Sequence, residues 1–274
     1  MTTQQPSTAG SLIREWRNRR RMSQLDLAAE ADISQRHLSF VESGRAAPSR
    51  EMVLHLAEQL DIPLRQRNQL LLAAGFAPSF SERALSDTSL APAMAAVELV
   101  LKGHEPFPSI AVDRNWNLVA SNGAIAPLLA DIADQSLLTP PVNVLRLSLH
   151  PKGLAPRIVN LHEWRTHLIE RLKHQVDASG DATLAELERE LRTYPSGPPN
   201  SRPTHPDIAA IALPLRLRMG KDILSFISTI TVFGTPLDVT LSELAIESFF
   251  PADAETAALL QKLADDRGAA PKPS

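Results

Sequence analysis

The sequence predicts two units of different class. The first is an all-α unit of five helices. The second is an α+β unit with a five-stranded antiparallel sheet and helices across one face. Three observations carry this reading. Residues 11–76 hold apolar residues at helical spacing, divided by serine caps and a proline. Residues 77–91 are rich in Ser, Pro and Ala and read as a linker. After residue 104 the order becomes two strands, three helices, three strands, the pattern of a sheet covered by helices.

The helical unit is justified cap by cap. Ser11, Ser23, Ser34 and Ser49 each precede an apolar-periodic run, where a hydroxyl can accept from orphan N–H groups. The fourth helix repeats Met52, Val53, Leu56, Ala57 and Leu60. Pro63 suits the first turn of a fifth helix with Leu64, Leu70, Leu71 and Leu72, ended by Gly75. A bridging helix near Ala91–Lys102 then leads to the second unit.

In that unit, residues 109–113 and 116–120 flank Arg114-Asn115 and predict a hairpin. Helices are expected over 124–132, 161–176 and 183–192, the last opened by a Thr183/Glu186 capping box. Pro195, Pro198, Pro199, Pro203 and Pro206 mark an irregular loop. Leu213, Leu215, Leu217 and Met219 alternate with polar or proline positions as a strand does. Strands over 223–233 and 244–250 and a helix capped by Asp253 complete the unit. The expected division is a tail over 1–10, a helical domain over 11–76, a linker and bridging helix over 77–103, an α+β domain over 104–265 and a tail over 266–274.

Composition narrows the functional classes. The chain of 274 residues has no cysteine, which excludes disulfides and thiolate metal sites. No run approaches the ~18 apolar residues of a membrane span, and Met1–Gly10 lacks a signal-peptide core; a cytoplasmic protein with no membrane partner is expected. The net charge of -3 is unevenly spread. Residues 1–80 carry ten Arg against eight acids, and the remainder carries 18 basic against 23 acidic residues. Arg14, Arg17, Arg19, Arg20 and Arg21 form a dense positive cluster, suited to phosphates.

Residues 22–44 follow that cluster and read as two short helices joined by a tight turn, the sequence form of a helix-turn-helix. The second helix opens with Ser34, Gln35, Arg36 and His37. Gln can bond adenine bidentately and Arg guanine, while Leu38 and Val41 point inward. Ser39 and Phe40 are further candidates for base contact, Phe40 also for packing. Gln24, at the start of the preceding helix, can reach a phosphate, as can Arg21 and Arg45. Residues 11–61 thereby resemble the lambda-repressor-like, XRE-type helix-turn-helix family. The resemblance rests on Arg17, Ser23-Gln24, Leu27-Ala28, Ile33-Ser34, Leu38, Glu42, Gly44, Pro48, Leu56-Ala57 and Leu60. It implies a partly buried ion pair between Arg17 and Glu42. Where that family has a turn glycine, this chain has Asp32, a residue that visits the left-handed region more readily than most.

The second unit carries Pro106-Phe107-Pro108-Ser109 through Asn117, Asn122, Asn143-Val144-Leu145-Arg146, His150-Pro151, Phe233-Gly234-Thr235-Pro236, Asp238-Val239-Thr240 and residues 249–256. These resemble the MmyB-like ligand-binding domain. The resemblance implies a PAS-like fold and a small-molecule sensor with fatty-acid-like ligands. Trp116, Trp164, Phe226 and Phe233 are candidates to line a cavity, each also readable as ordinary core. Arg146 is a candidate carboxylate partner or a structural salt bridge, and Asn122 a ligand contact or a helix cap.

Other chemistries fail on spacing. His162 and His167 are five apart, not the four that put two zinc ligands on one helix face. Neither a nucleophile elbow nor a phosphate loop is present, so no catalytic or metal site is expected. No cofactor is expected beyond a bound fatty acid or similar molecule. The expected function is a homodimeric DNA-binding transcriptional regulator with a small amphipathic effector. The alternatives are a C-terminal domain that only dimerises, or an enzyme fused to a DNA reader.

Overall fold

The computed structural model describes residues 8–198, 213–233 and 238–269. The chain forms two compact units, the first holding residues up to 84 together with 177–179 and residues 238–242, the second the remainder. The prolines expected in a loop at 199, 203 and 206, the turn Gly234–Leu237 and the outer ends of both tails lie outside the described residues.

The first unit contains five helices: α1 (Ala9–Arg19), α2 (Gln24–Glu30), α3 (Gln35–Glu42), α4 (Arg50–Gln59) and α5 (Leu64–Ala73). Ser23, Ser34 and Ser49 accept the N–H of Asp26, His37 and Met52 as N-caps, and Asp26 returns the bond to complete a capping box. The first cap is Thr8 rather than Ser11. Helix α1 therefore starts at Ala9, inside the segment expected to be a tail. Packing explains the difference. A Cβ at Gly10 would lie 2.1 Å from the Val41 carbonyl oxygen, so glycine permits α1 to approach α3 along its first turn. Ile13, Leu27, Leu38, Val53, Leu56 and Leu71 then meet in a closed core. Asp32 adopts φ 49° in the turn between α2 and α3.

The second unit begins with α6 (Ala91–Gly103) and the hairpin β1 (Ser109–Val112) and β2 (Leu118–Ser121). Short helices follow, among them α7 (Ala126–Leu129) and α8 (Val144–Leu149), then α9 (Leu161–Ser179) and α10 (Ala182–Thr193). Strands β3 (Leu215–Met219), β4 (Asp222–Val232) and β5 (Ala245–Pro251) complete an antiparallel PAS-like sheet of order β2-β1-β5-β4-β3. Trp116 and Asn117, expected in the second strand, precede it instead, and Asn117 pairs with Asn143 in an isolated antiparallel bridge. Asp113 Oδ1 accepts both the Asn115 and Asn117 N–H, and Trp116 takes φ 65°. The capping box expected from Thr183 is absent; Asp181 caps α10, accepting from Thr183 and Leu184 N–H. The C-terminal helix Ala254–Ala269 runs into the segment expected to be a tail, through residues with little to stop a helix before it.

Register places Ile110, Val112, Glu247, Phe249, Phe226, Leu224 and Leu217 on one face of the sheet. Trp164, Leu168 and Leu172 of α9 and Leu187 and Leu191 of α10 join that face in one core. Ala111 and Ile246 point to the opposite face, and α6 contributes the buried Val97 and Leu101.

Candidate DNA interface and ligand pocket

Arg17 and Glu42 are the fixed point of the first unit. Arg17 Nε donates to Glu42 Oε1 at 2.6 Å and Nη2 to Oε2 at 2.9 Å, with the Glu42 side chain fully buried. Gln24 Nε2 also donates to Glu42 Oε2, at 2.8 Å. Burial by itself would push the Glu42 carboxyl up. The Arg17 and Gln24 hydrogen bonds and the Arg17 and Arg14 charges outweigh it and hold the carboxyl below its usual range. The pair joins α1 to α3 and leaves the outer side of α3 free for other contacts.

On that outer side Gln35 and Arg36 are exposed, and His37, Ser39 and Phe40 are half-buried. Arg36 and Arg45 both stand over the Phe40 ring, at 5.4 Å and 5.8 Å from its centroid. The ring thus sits within a cationic surface rather than in the core. Ser34 is exposed at the helix start, where its hydroxyl is committed to the cap, and Arg21 is exposed with φ 57°. The Gln24 side chain turns toward Glu42. Arg20, part of the basic cluster, spends its guanidinium on the Leu60 and Asp61 carbonyls.

The second unit holds a partly open pocket between the sheet and α7, α8 and α9. Its floor includes Ile110, Leu217, Phe226 and Phe249, and its roof Leu128, Leu145, Trp164 and Leu168. The space open to the centre of a water-sized sphere is about 100 Å³, against roughly 10–15 Å³ for a single water. That is room for a small organic molecule. Three polar side chains interrupt the apolar lining: Ser148, Arg171 and Glu247. Ser148 Oγ accepts from Trp164 Nε1 at 3.2 Å, and Arg171 Nη1 donates to the buried Glu247 Oε1 at 3.2 Å.

Of the residues expected from sequence to meet a ligand, Trp164 and Phe226 line this pocket. Trp116 lies behind it, donating from Nε1 to Gln175 and carrying the Arg171 guanidinium 4.4 Å from its ring centroid. Asn122 is a buried clamp, accepting from Ser109 N–H and donating to the Leu101 and Phe107 carbonyls. Arg146 is gripped by Glu190, Nε to Oε1 and Nη2 to Oε2 both at 2.7 Å, with the Tyr194 hydroxyl donating to the same carboxylate. Phe233 follows the end of β4, half-exposed and outside the lining. Sequence reading missed Arg171 and Glu247. The signal for Arg171 was present, because it falls on the stripe Trp164, Leu168, Arg171 at spacings of four and three, a charge on the apolar face of α9.

A helix-turn-helix whose second helix is exposed, in one chain with a domain that holds an apolar pocket, is the architecture of a DNA-binding transcriptional regulator with a ligand-binding domain. A helix-turn-helix family model matches residues 13–66, and the model of the MmyB-like transcription regulator ligand binding domain matches residues 93–263. The second match spans more than half of the chain, which therefore belongs to that family. None of the curated proteins compared with the chain matches it. Among the described residues, no helix is long and apolar enough to cross a membrane.

Proposed function

We propose that the chain is a cytoplasmic, non-enzymatic, homodimeric transcription factor whose DNA affinity is set by a small amphipathic, fatty-acid-like molecule in the second unit. The division into residues 11–76 for DNA and 104–265 for ligand and dimer contacts goes with this reading. Gln35 and Arg36 read bases, His37, Ser39 and Phe40 approach them, and Arg21, Gln24, Ser34 and Arg45 contact phosphates. Two-fold dimers double the footprint of one small reader on inverted half-sites. The observation that carries the ligand is the apolar pocket between sheet and helices, with its polar groups confined to Ser148, Arg171 and Glu247.

The test has two arms. Selection of bound DNA from a random pool, followed by titration of the selected site against salt, yields a steep loss of affinity as salt rises; salt-insensitive binding refutes the DNA reading. Native mass spectrometry of protein purified from its own host yields a small adduct that denaturation releases, and its addition to stripped protein changes operator affinity. A second unit that carries no adduct, and whose DNA affinity no amphiphile alters, is a dimerisation module alone.

A further inference from the structure

Helix α6 is held to its own unit along one side. Val97 and Leu101 form that buried side. Asn122 Nδ2 donates to the Leu101 carbonyl at 3.1 Å, and His104 Nε2 donates to the Phe249 carbonyl at 3.1 Å. These contacts fix the helix in place. Its outer side is apolar. At ~100° per residue, Pro92, Ala95, Ala96, Leu99 and Gly103 fall on one stripe, and all five are exposed. Val100 borders the stripe. Leu99 is 73% exposed and Val100 46%. A contiguous apolar helix face turned to water marks a contact surface.

We propose that the outer face of α6 binds the same face of a second copy of the chain, with the two helices antiparallel about a two-fold axis. This rests on the homodimer reading above and names the surface that makes the dimer. A face that pairs with itself must carry its own complement. Shape supplies one part of it. An axis between Leu99 and Val100 sets Leu99 against Val100 of the second copy, and Ala96 against Gly103. The small pairs let the helices approach to about 8 Å, and the large pairs fill the centre. Charge supplies the other part. Glu98 and Lys102 lie on the same flank of the stripe, both exposed. The same axis brings Glu98 within one residue of Lys102 of the second copy, and does so twice. Parallel helices would set Glu98 against Glu98 and Lys102 against Lys102, which repel. A lipid surface fits less well. Interfacial helices carry a polar face rich in Lys and Arg, whereas α6 has one Lys and one Glu.

The experiment is sedimentation of the full chain and its variants. The unaltered chain is expected to be a dimer. Leu99→Asp and Val100→Asp each raise its dissociation constant at least about tenfold, because a carboxylate is buried unpaired. Both positions are exposed, so the thermal midpoints stay unchanged. Glu98→Lys and Lys102→Glu each weaken the dimer alone, and an equal mixture of the two restores it. That rescue cannot come from contacts within one helix. The chain has no cysteine, so introduced thiols report the geometry. A Cβ at Gly103 meets nothing within 4 Å, so a side chain is accommodated there. Under mild oxidation Leu99→Cys links to itself, Ala96→Cys links to Gly103→Cys in a mixture, and Ala96→Cys alone does not link. Ready self-linking by Ala96→Cys overturns the antiparallel arrangement. Folded Leu99→Asp and Val100→Asp variants that remain full dimers overturn the α6 interface while the homodimer reading stands. A monomeric unaltered chain overturns both. So does a monomer that binds phosphatidylglycerol vesicles through Leu99, which assigns the face to lipid.

Discussion

Arg17 of the first helix and Glu42 of the third are joined by two hydrogen bonds of 2.6 and 2.9 Å, and neither side chain is more than 10% exposed. A buried pair of this kind is weak evidence of net stabilisation, but removal of one partner strands the other charge away from water. Glu42→Ala is expected to destabilise the chain by about 3 kcal/mol or more and to weaken DNA binding, because α3 loses its tie to α1. Denaturant unfolding and operator titration measure the two effects. An unchanged unfolding midpoint would mean that the pair has no structural role.

The same carboxylate makes acid stability predictable in sign. Its folded pKa lies below the unfolded value, which is about 4.3 for Glu. Such a group contributes stability that is fully present above the unfolded value and is lost as pH falls through the folded value. The stability difference between the natural chain and Glu42→Gln is therefore widest near neutral pH and narrows below about pH 4. Thermal midpoints of both proteins across pH 3 to 7 read this directly, and a pH-independent difference contradicts it.

Arg146 and Asn122 are expected to behave as structural residues when replaced. The Arg146–Glu190 pair is 39% and 36% exposed, so Arg146→Ala costs about 1 kcal/mol or less and leaves effector binding in the second unit intact. Asn122 is 6% exposed and makes three hydrogen bonds to backbone groups. Asn122→Ala leaves those groups unpaired and costs about 2–4 kcal/mol. A loss of ligand affinity without loss of stability in either variant would return that residue to the ligand site.

On the DNA side, Gln35→Ala and Arg36→Ala should each cost about 1–3 kcal/mol at the preferred operator and relax preference at one base position. Arg45→Ala should weaken binding to all sequences alike and make the salt dependence shallower by about one unit. Arg36 also stands over Phe40, so a unit-stability control accompanies its variant. Uniform losses across sequences for all three would assign α3 to backbone contact only.

The helix-turn-helix was legible in its residues alone. Caps, apolar spacing and the charges of the helix-turn-helix are local, since each helix is specified by residues within about two turns. The ion pair Arg17–Glu42 came from resemblance and the structure supplies its geometry. The order of sheet elements was legible for the same local reason, down to the alternation of β3. Which of several equivalent side chains faces the cavity depends instead on long-range packing. Arg146 and Arg171 look alike along the chain. Glu190, 44 positions from Arg146, fills the paired donors of one, whereas Glu247, 76 positions from Arg171, takes a single donor of the other. Trp116 and Trp164 were likewise indistinguishable until a left-handed turn at Trp116 carried its ring behind the pocket. Burial and pairing at such separations depend on how the sheet and helices close over one another, and no short-range pattern encodes that closure.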